Sequence, residues 1–268
     1  MLDQTDTQTA APTRLFDDTG RRIPPVGLQA EAHPISRGYF KIDPQQIDYA
    51  AIHSRLTRLL PLQGAPDAAA FQARVEAALA SLRADPNTAD VLTSQAIPFM
   101  LPRATYADLG AAVEETYIPA VAAAFGEVQP DYDFTNHHIG GFGGKLAPAP
   151  GARQETLLAR MADDVVVGVL LPCLPGYSVP AAREQMASLP EQFLLAGALE
   201  QCAAFVSIPD LLVRPHGYPP LLMWSGAQYD NDEFAPHFEA YGYNLTVNSR
   251  GHFGHANEYW SHALTVLA

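Results

Sequence analysis

The chain has 268 residues, of which 48% are hydrophobic and 17% charged, an apolar content that builds a sizeable core and argues against disorder across the body. The 16 Lys and Arg face 29 Asp and Glu, a formal net charge of −13, so the long-range field repels polyanions and no nucleic acid is expected as a partner. Apolar runs such as residues 165–171 fall far short of the ~20 residues a spanning helix needs, so no membrane is expected either.

Residues 1–9 are polar and acidic and lack the basic start and apolar stretch of a secretory signal, which favours a cytoplasmic address. Residues 1–40 show neither helical nor strand periodicity and read as a flexible leader followed by an extended arm, with residues 41–268 as a single globular unit. Cys173 and Cys202 sit in apolar surroundings in a chain too large to depend on disulfides, and are expected to be reduced and buried.

In chain order, Asp43-Pro44 suits a helix start, and Ile47, Ala51, Arg55 and Arg58 continue at helical spacing. A second helix is expected from Pro66-Asp67 to Leu82, with Phe71, Val75, Ala78, Leu79 and Leu82 as its buried stripe. Residues 91–101 suit an edge strand because Pro98 donates no ladder bond. Residues 105–125 predict a long helix that Pro119 kinks or divides. A strand over residues 132–139 leads into the glycine-dense stretch 140–145 and a proline-punctuated linker, so a lobe boundary is placed near 140–152. A short helix at 154–161, a buried strand at 165–171, a helix at 190–206 and strands at 221–224 and 243–247 complete the pattern. Helices alternating with short buried strands point to an α/β or α+β fold, a helix-rich N-terminal half packed on a mixed sheet in the C-terminal half.

Two histidine clusters hold five of the nine histidines. In the first, Asn136-His137-His138 ends a predicted strand and runs into Gly140, Gly141, Gly143, Gly144 and Lys145. Neighbouring strand residues point to opposite faces, so only one of His137 and His138 can enter a given pocket. Glycines such as Gly141 and Gly143 permit close approach of a ligand, and Lys145 suits an anionic group. The segment does not fit a phosphate loop, because no Ser or Thr follows Lys145, nor a dinucleotide fingerprint.

The second cluster spans residues 250–262. If Gly254 opens a helix, His255, Glu258 and His262 lie at i, i+3 and i+7 on one face, a set able to hold Zn or Fe, and His252 could add a ligand. Packed rings with local hydrogen bonds are the plainer account of the same residues. Ser225 lacks the preceding glycine of a nucleophile elbow, and Asp230, Asp232 and Glu233 depart from a calcium loop, so both read as ordinary loop residues.

The leading expectation is an enzyme acting on a small molecule in a His-rich pocket between the two halves. His137, His138 and His255 would be its acid/base groups, His255, Glu258 and His262 its metal ligands, and Lys145, Arg250, Gly141 and Gly143 its substrate contacts. Two alternatives stand beside it: a non-catalytic acidic interaction or immunity-type module, and a cofactor-free isomerase or cyclase. Buried, hydrogen-bonded histidines together with an exposed aromatic or acidic patch elsewhere would favour the interaction module.

Overall fold

A computed structural model describes residues 14–251 and 254–268. Residues 14–48 form an arm that runs along the body, bridged at Phe16 to Arg22, Ala32 to Tyr177 and Phe40 to Tyr218. Phe16 is fully buried, 5.8 Å from the Phe193 ring, so the arm is anchored in the core near its start. The rest of the expected leader, residues 1–13, lies outside the described residues.

Helix α1 (Tyr49–Leu59) begins later than Pro44 suggests. Asp48 rather than Asp43 caps it, accepting from the Ala51 N–H, while Asp43 is drawn into an ion pair with Arg214. Helix α2 (Ala68–Ala84) is capped by Asp67 and buries Phe71, Val75, Ala78 and Leu82. Strand β1 (Ile97–Leu101) is buried throughout. The next helix opens at Asp108, whose carboxylate accepts from the Ala111 N–H, and runs as α3 (Leu109–Ala112), a π turn (Val113–Tyr117) and α4 (Ile118–Val128). Pro119 at the start of α4 lacks the N–H of an ordinary helical turn, and the wider bonding of the π turn takes up that irregularity, so the helix is interrupted without being ended.

Strands β2 (Phe134–Asn136) and β3 (Leu146–Pro148) flank the glycine-dense segment, and α5 (Gln154–Asp163) precedes β4 (Val166–Leu171). After α6 (Val179–Glu184), the stretch expected as one helix from residue 190 divides into β5 (Phe193–Leu195) and α7 (Ala198–Ser207). Gly197 makes that break, with Glu200 accepting from its N–H. The remaining strands are β6 (Leu221–Met223), β7 (Ala227–Tyr229), β8 (Ala235–Tyr241), β9 (Asn244–Arg250), β10 (Trp260–His262) and β11 (Leu264–Leu267).

The result is a mixed α+β fold with three sheets. One runs β1-β4-β11-β5, all antiparallel, with β1 at an edge as its proline requires. A second runs β10-β6-β8-β9-β2, with β10 parallel to β6 and β2 parallel to β9, and β3 pairs β7 in the third. Every residue of α7 is buried, and the helix packs against β1, α4 and α1. The main core extends from Phe16 to Val266, while Val179, Leu221, Met223, Ala235 and Trp260 form a smaller cluster. Among the described residues no helix is long and apolar enough to cross a membrane.

Candidate functional site

The arm does not lie flush on the body. Between the two is a cleft of about 760 Å³, bounded by arm residues such as Arg21, Phe40, Lys41 and Ile47, by residues 92–96 before β1, and by Pro172, Cys173 and Pro175 after β4. Pro220 and Ser261, from the segments of β6 and β10, close the far side. Two turns fix its walls. In one, the Asp17 carboxylate accepts from the Thr19 N–H and hydroxyl and from the Arg21 N–H, with Gly20 at φ 82°. In the other, Arg214 ties Asp43 and the Lys41 carbonyl to the segment before β6.

The cleft offers polar contacts and little activated chemistry. Burial pushes the Cys173 thiol up to about 12, too high for a nucleophile at neutral pH. Arg21 and Ser261 are both buried, and the Gln95 amide is engaged with the Gln45 N–H and the Ala96 carbonyl. On the rim, Tyr39 and Tyr218 stack at 5.6 Å while remaining 60% and 57% exposed, and Phe40 packs between Tyr218 and Tyr259.

Among the described residues, none of the histidines singled out by spacing lines this cleft. His138 does organise the glycine-rich segment. Its ring stacks on Phe142 at 4.1 Å and 8°, Nδ1 lies 2.5 Å from Ser249 Oγ, and Nε2 lies 3.1 Å from both the Gly141 carbonyl and Tyr229 Oη. A carbonyl only accepts, so Nε2 carries the proton and Nδ1 accepts from the Ser249 hydroxyl. Desolvation lowers the His138 pKa and keeps the ring neutral. His137, the preceding residue, is exposed; β2 ends at Asn136, so both histidines lie in the loop beyond the strand rather than on its two faces.

The glycine loop is closed from within. The Gly143 N–H donates to Glu114, the Gly144 N–H to Asp108, and Lys145 Nζ to the Gly140 carbonyl at 2.5 Å. The Gly143 and Gly144 N–H groups and one of the three Lys145 donors are thus taken by carboxylates and a carbonyl of the chain itself. Gly110 makes this approach workable, since a Cβ there would fall 1.7 Å from the Phe142 carbonyl oxygen. Gly141, Gly143, Lys145 and His138 are brought together, as a loop clasp.

The second cluster departs from its expected form. No helix follows Gly254; residues 255–258 are irregular and Trp260–His262 is β10. Pairing of β10 with β6 sets this local structure, so His255, Glu258 and His262 lose their common helical face. His255 faces Glu31, Glu258 pairs with Arg37 at 3.0 Å, and Arg250 pairs with Glu239 over the Tyr259 ring. His262 is fully buried, with Nε2 2.8 Å from the Tyr177 carbonyl and Nδ1 accepting from Ser225. Among the described residues no three His, Cys, Asp or Glu side chains are grouped to hold a metal ion, and His252 lies outside them.

His138 reaches His262 through intervening neighbours, Phe142, then Trp224, then Ser225, and among the described residues no direct contact between the two rings is present, so the two clusters do not form one site. Sequence reasoning missed the cleft because its walls come from the arm, the ends of strands and two turns, none with a periodic signal. It also missed Ser249 and Tyr229 as partners of His138, since both lie about a hundred residues away in the chain. Comparison with protein-family models, with curated proteins and with solved structures finds no match.

Proposed function

We propose that this chain is a non-catalytic binding protein whose ligand site is the cleft under the arm. One observation carries the reading: the large concave site and the reactive-looking side chains are in different places. A cleft of about 760 Å³ falls within the roughly 300–1,000 Å³ of small-molecule sites, and apolar walls with a few polar groups are their usual lining. Three of the described histidines, by contrast, are taken into the fold. His262 and His237 are buried, and His138 is bonded at both nitrogens.

The test is a fragment screen of the full chain by NMR, run beside Thr93→Trp. Thr93 is exposed and lines the cleft, so the indole narrows the site at small cost to the fold. Hits expected to shift resonances of the arm and residues 92–96 should be lost in the variant. Hits that persist there, or map to the His138 clasp, would refute the assignment.

A second reading has an observation of its own. The exposed Tyr39–Tyr218 stack beside Ile35, at 71% exposure, has the aromatic character of a protein-interaction hot spot. It predicts that Tyr39→Ser/Tyr218→Ser abolishes binding to a protein partner while leaving small-molecule binding in the cleft intact.

A further inference from the structure

The wall of the cleft carries a buried arginine that makes no direct ion pair among the described residues. Arg21 is 3% exposed, and its guanidinium donates to the carbonyls of His33 at 2.5 Å, Pro175 at 3.0 Å and Pro34 at 3.4 Å. It also lies 5.4 Å from the centre of the Tyr177 ring. Its neighbour Arg22, equally buried, bonds to Gln185, Ser188 and the carbonyls of Leu15 and Ile23. All of these partners are neutral. Arg58 and Arg14 by contrast pair with Glu127 and Asp90, while Arg153, like Arg21, donates to backbone carbonyls but does not line the cleft.

A buried guanidinium without a carboxylate is costly, and neutral carbonyls recover only part of its lost hydration. Arg21 uses three of its ~five N–H donors on the carbonyls. Lys41, on the same cleft, makes no ion pair with the described residues. Two acids lie nearby: Asp17 holds the turn that contains Thr19 and Arg21 and acts on Arg21 through its charge without bonding to the guanidinium, and Asp43 is paired with Arg214. A third, Asp18, is exposed on the rim. The adjoining wall is apolar, formed by Phe40, Ile42, Ile47 and Leu92.

We propose that the cleft selects a small amphipathic carboxylate, its head facing Arg21 and Lys41 and its apolar body lying along Phe40, Ile42, Ile47 and Leu92. This rests on the cleft being the ligand site. The missing counter-charge is then supplied by the ligand, and the guanidinium recovers a charge-assisted hydrogen bond that the folded chain alone does not give it.

Calorimetric titration of the full chain with decanoate, decanol and decylammonium at pH 7 tests it. Decanoate is expected to bind about tenfold or more tighter than decanol, in line with a hydrogen bond between charged groups, and decylammonium weakest. Lys41→Gln, an exposed change, should shrink the decanoate-to-decanol ratio severalfold with an unaltered circular dichroism spectrum. Thr93→Trp should weaken all three probes. Decanol binding as tightly as decanoate, still blocked by Thr93→Trp, overturns the carboxylate preference and leaves the cleft site standing. Binding of no probe, or binding indifferent to Thr93→Trp, removes the cleft assignment and the preference with it.

Discussion

The Ser225 hydroxyl donates to Nδ1 of His262 at a point where both residues are fully buried, and the Tyr177 carbonyl holds the other nitrogen as a donor. Spacing along the chain does not link the two residues; in the fold they form a strut joining the loop after β6, strand β10 and the segment before α6. Desolvation lowers the His262 pKa to about 4, from an ordinary value near 6.5.

The pH dependence of stability follows from that shift. The folded state holds His262 neutral, so between about pH 6.5 and 4 the unfolded chain binds the extra proton, and stability falls as pH drops through that window. The full effect is on the order of 3 kcal/mol. Glu200 acts in the opposite sense. Its buried carboxyl is raised, so it favours the fold as pH drops toward its ordinary value. Urea midpoints measured across pH 4–7 should therefore lose a falling component in His262→Gln. An unchanged slope in the variant would show that His262 does not carry it.

The His138 clasp predicts a single tautomer. With Nε2 donating toward the Gly141 carbonyl and Tyr229, and Nδ1 accepting from Ser249, ¹⁵N spectra at neutral pH should show a neutral ring protonated at Nε2. Ser249→Ala should cost about 1 kcal/mol in chemical denaturation, the ordinary worth of one hydrogen bond. A charged ring at pH 7, or an Nδ1–H tautomer, would contradict the clasp.

Much of the fold is written in local pattern. The stripe of α2 and its Asp67 cap, the all-buried β4 and the edge placement of β1 follow from spacing, capping and proline chemistry. What failed was set by long-range pairing. Residues 258–262 contain helix-compatible spacing, yet β6 recruits Trp260–His262 as a parallel strand, and no local rule reveals that partner. Gly197 likewise separates β5 from α7 because its N–H is taken by Glu200, itself held by Gln154 from α5. The candidate site was less legible still. Arg21 reads as an ordinary arm residue, and its burial without a counter-ion becomes visible only when His33, Pro34 and Pro175 surround it.

Both cysteines should resist thiol reagents in the native state. Each is free and buried, Cys173 with its pKa pushed up to about 12 and Cys202 raised by burial and by Glu200. Ellman's reagent is expected to label neither in buffer and both in denaturant. Rapid native labelling of Cys173 would mean that the cleft opens much further than its walls indicate.

Two glycines of one interrupted helix should respond oppositely to the same substitution. Gly110 lies in α3, and an added Cβ would meet the Phe142 carbonyl oxygen at 1.7 Å and carbon at 2.4 Å, both backbone atoms that cannot swing aside. Gly110→Ala must therefore push the glycine-rich loop off the helix, breaking the Gly143–Glu114 and Gly144–Asp108 bonds, with an expected loss of about 3 kcal/mol or more. Gly126 lies in α4 with nothing within 4 Å of its would-be Cβ. There the methyl group reduces the freedom of the unfolded chain without strain, and Gly126→Ala should stabilise by roughly 0.5–1 kcal/mol. Thermal melts of the two variants beside the parent decide it. A tolerated Gly110→Ala would mean that the loop sits further from the helix than the clasp requires, and with it would go the geometric basis for His138 as the residue that pins the loop.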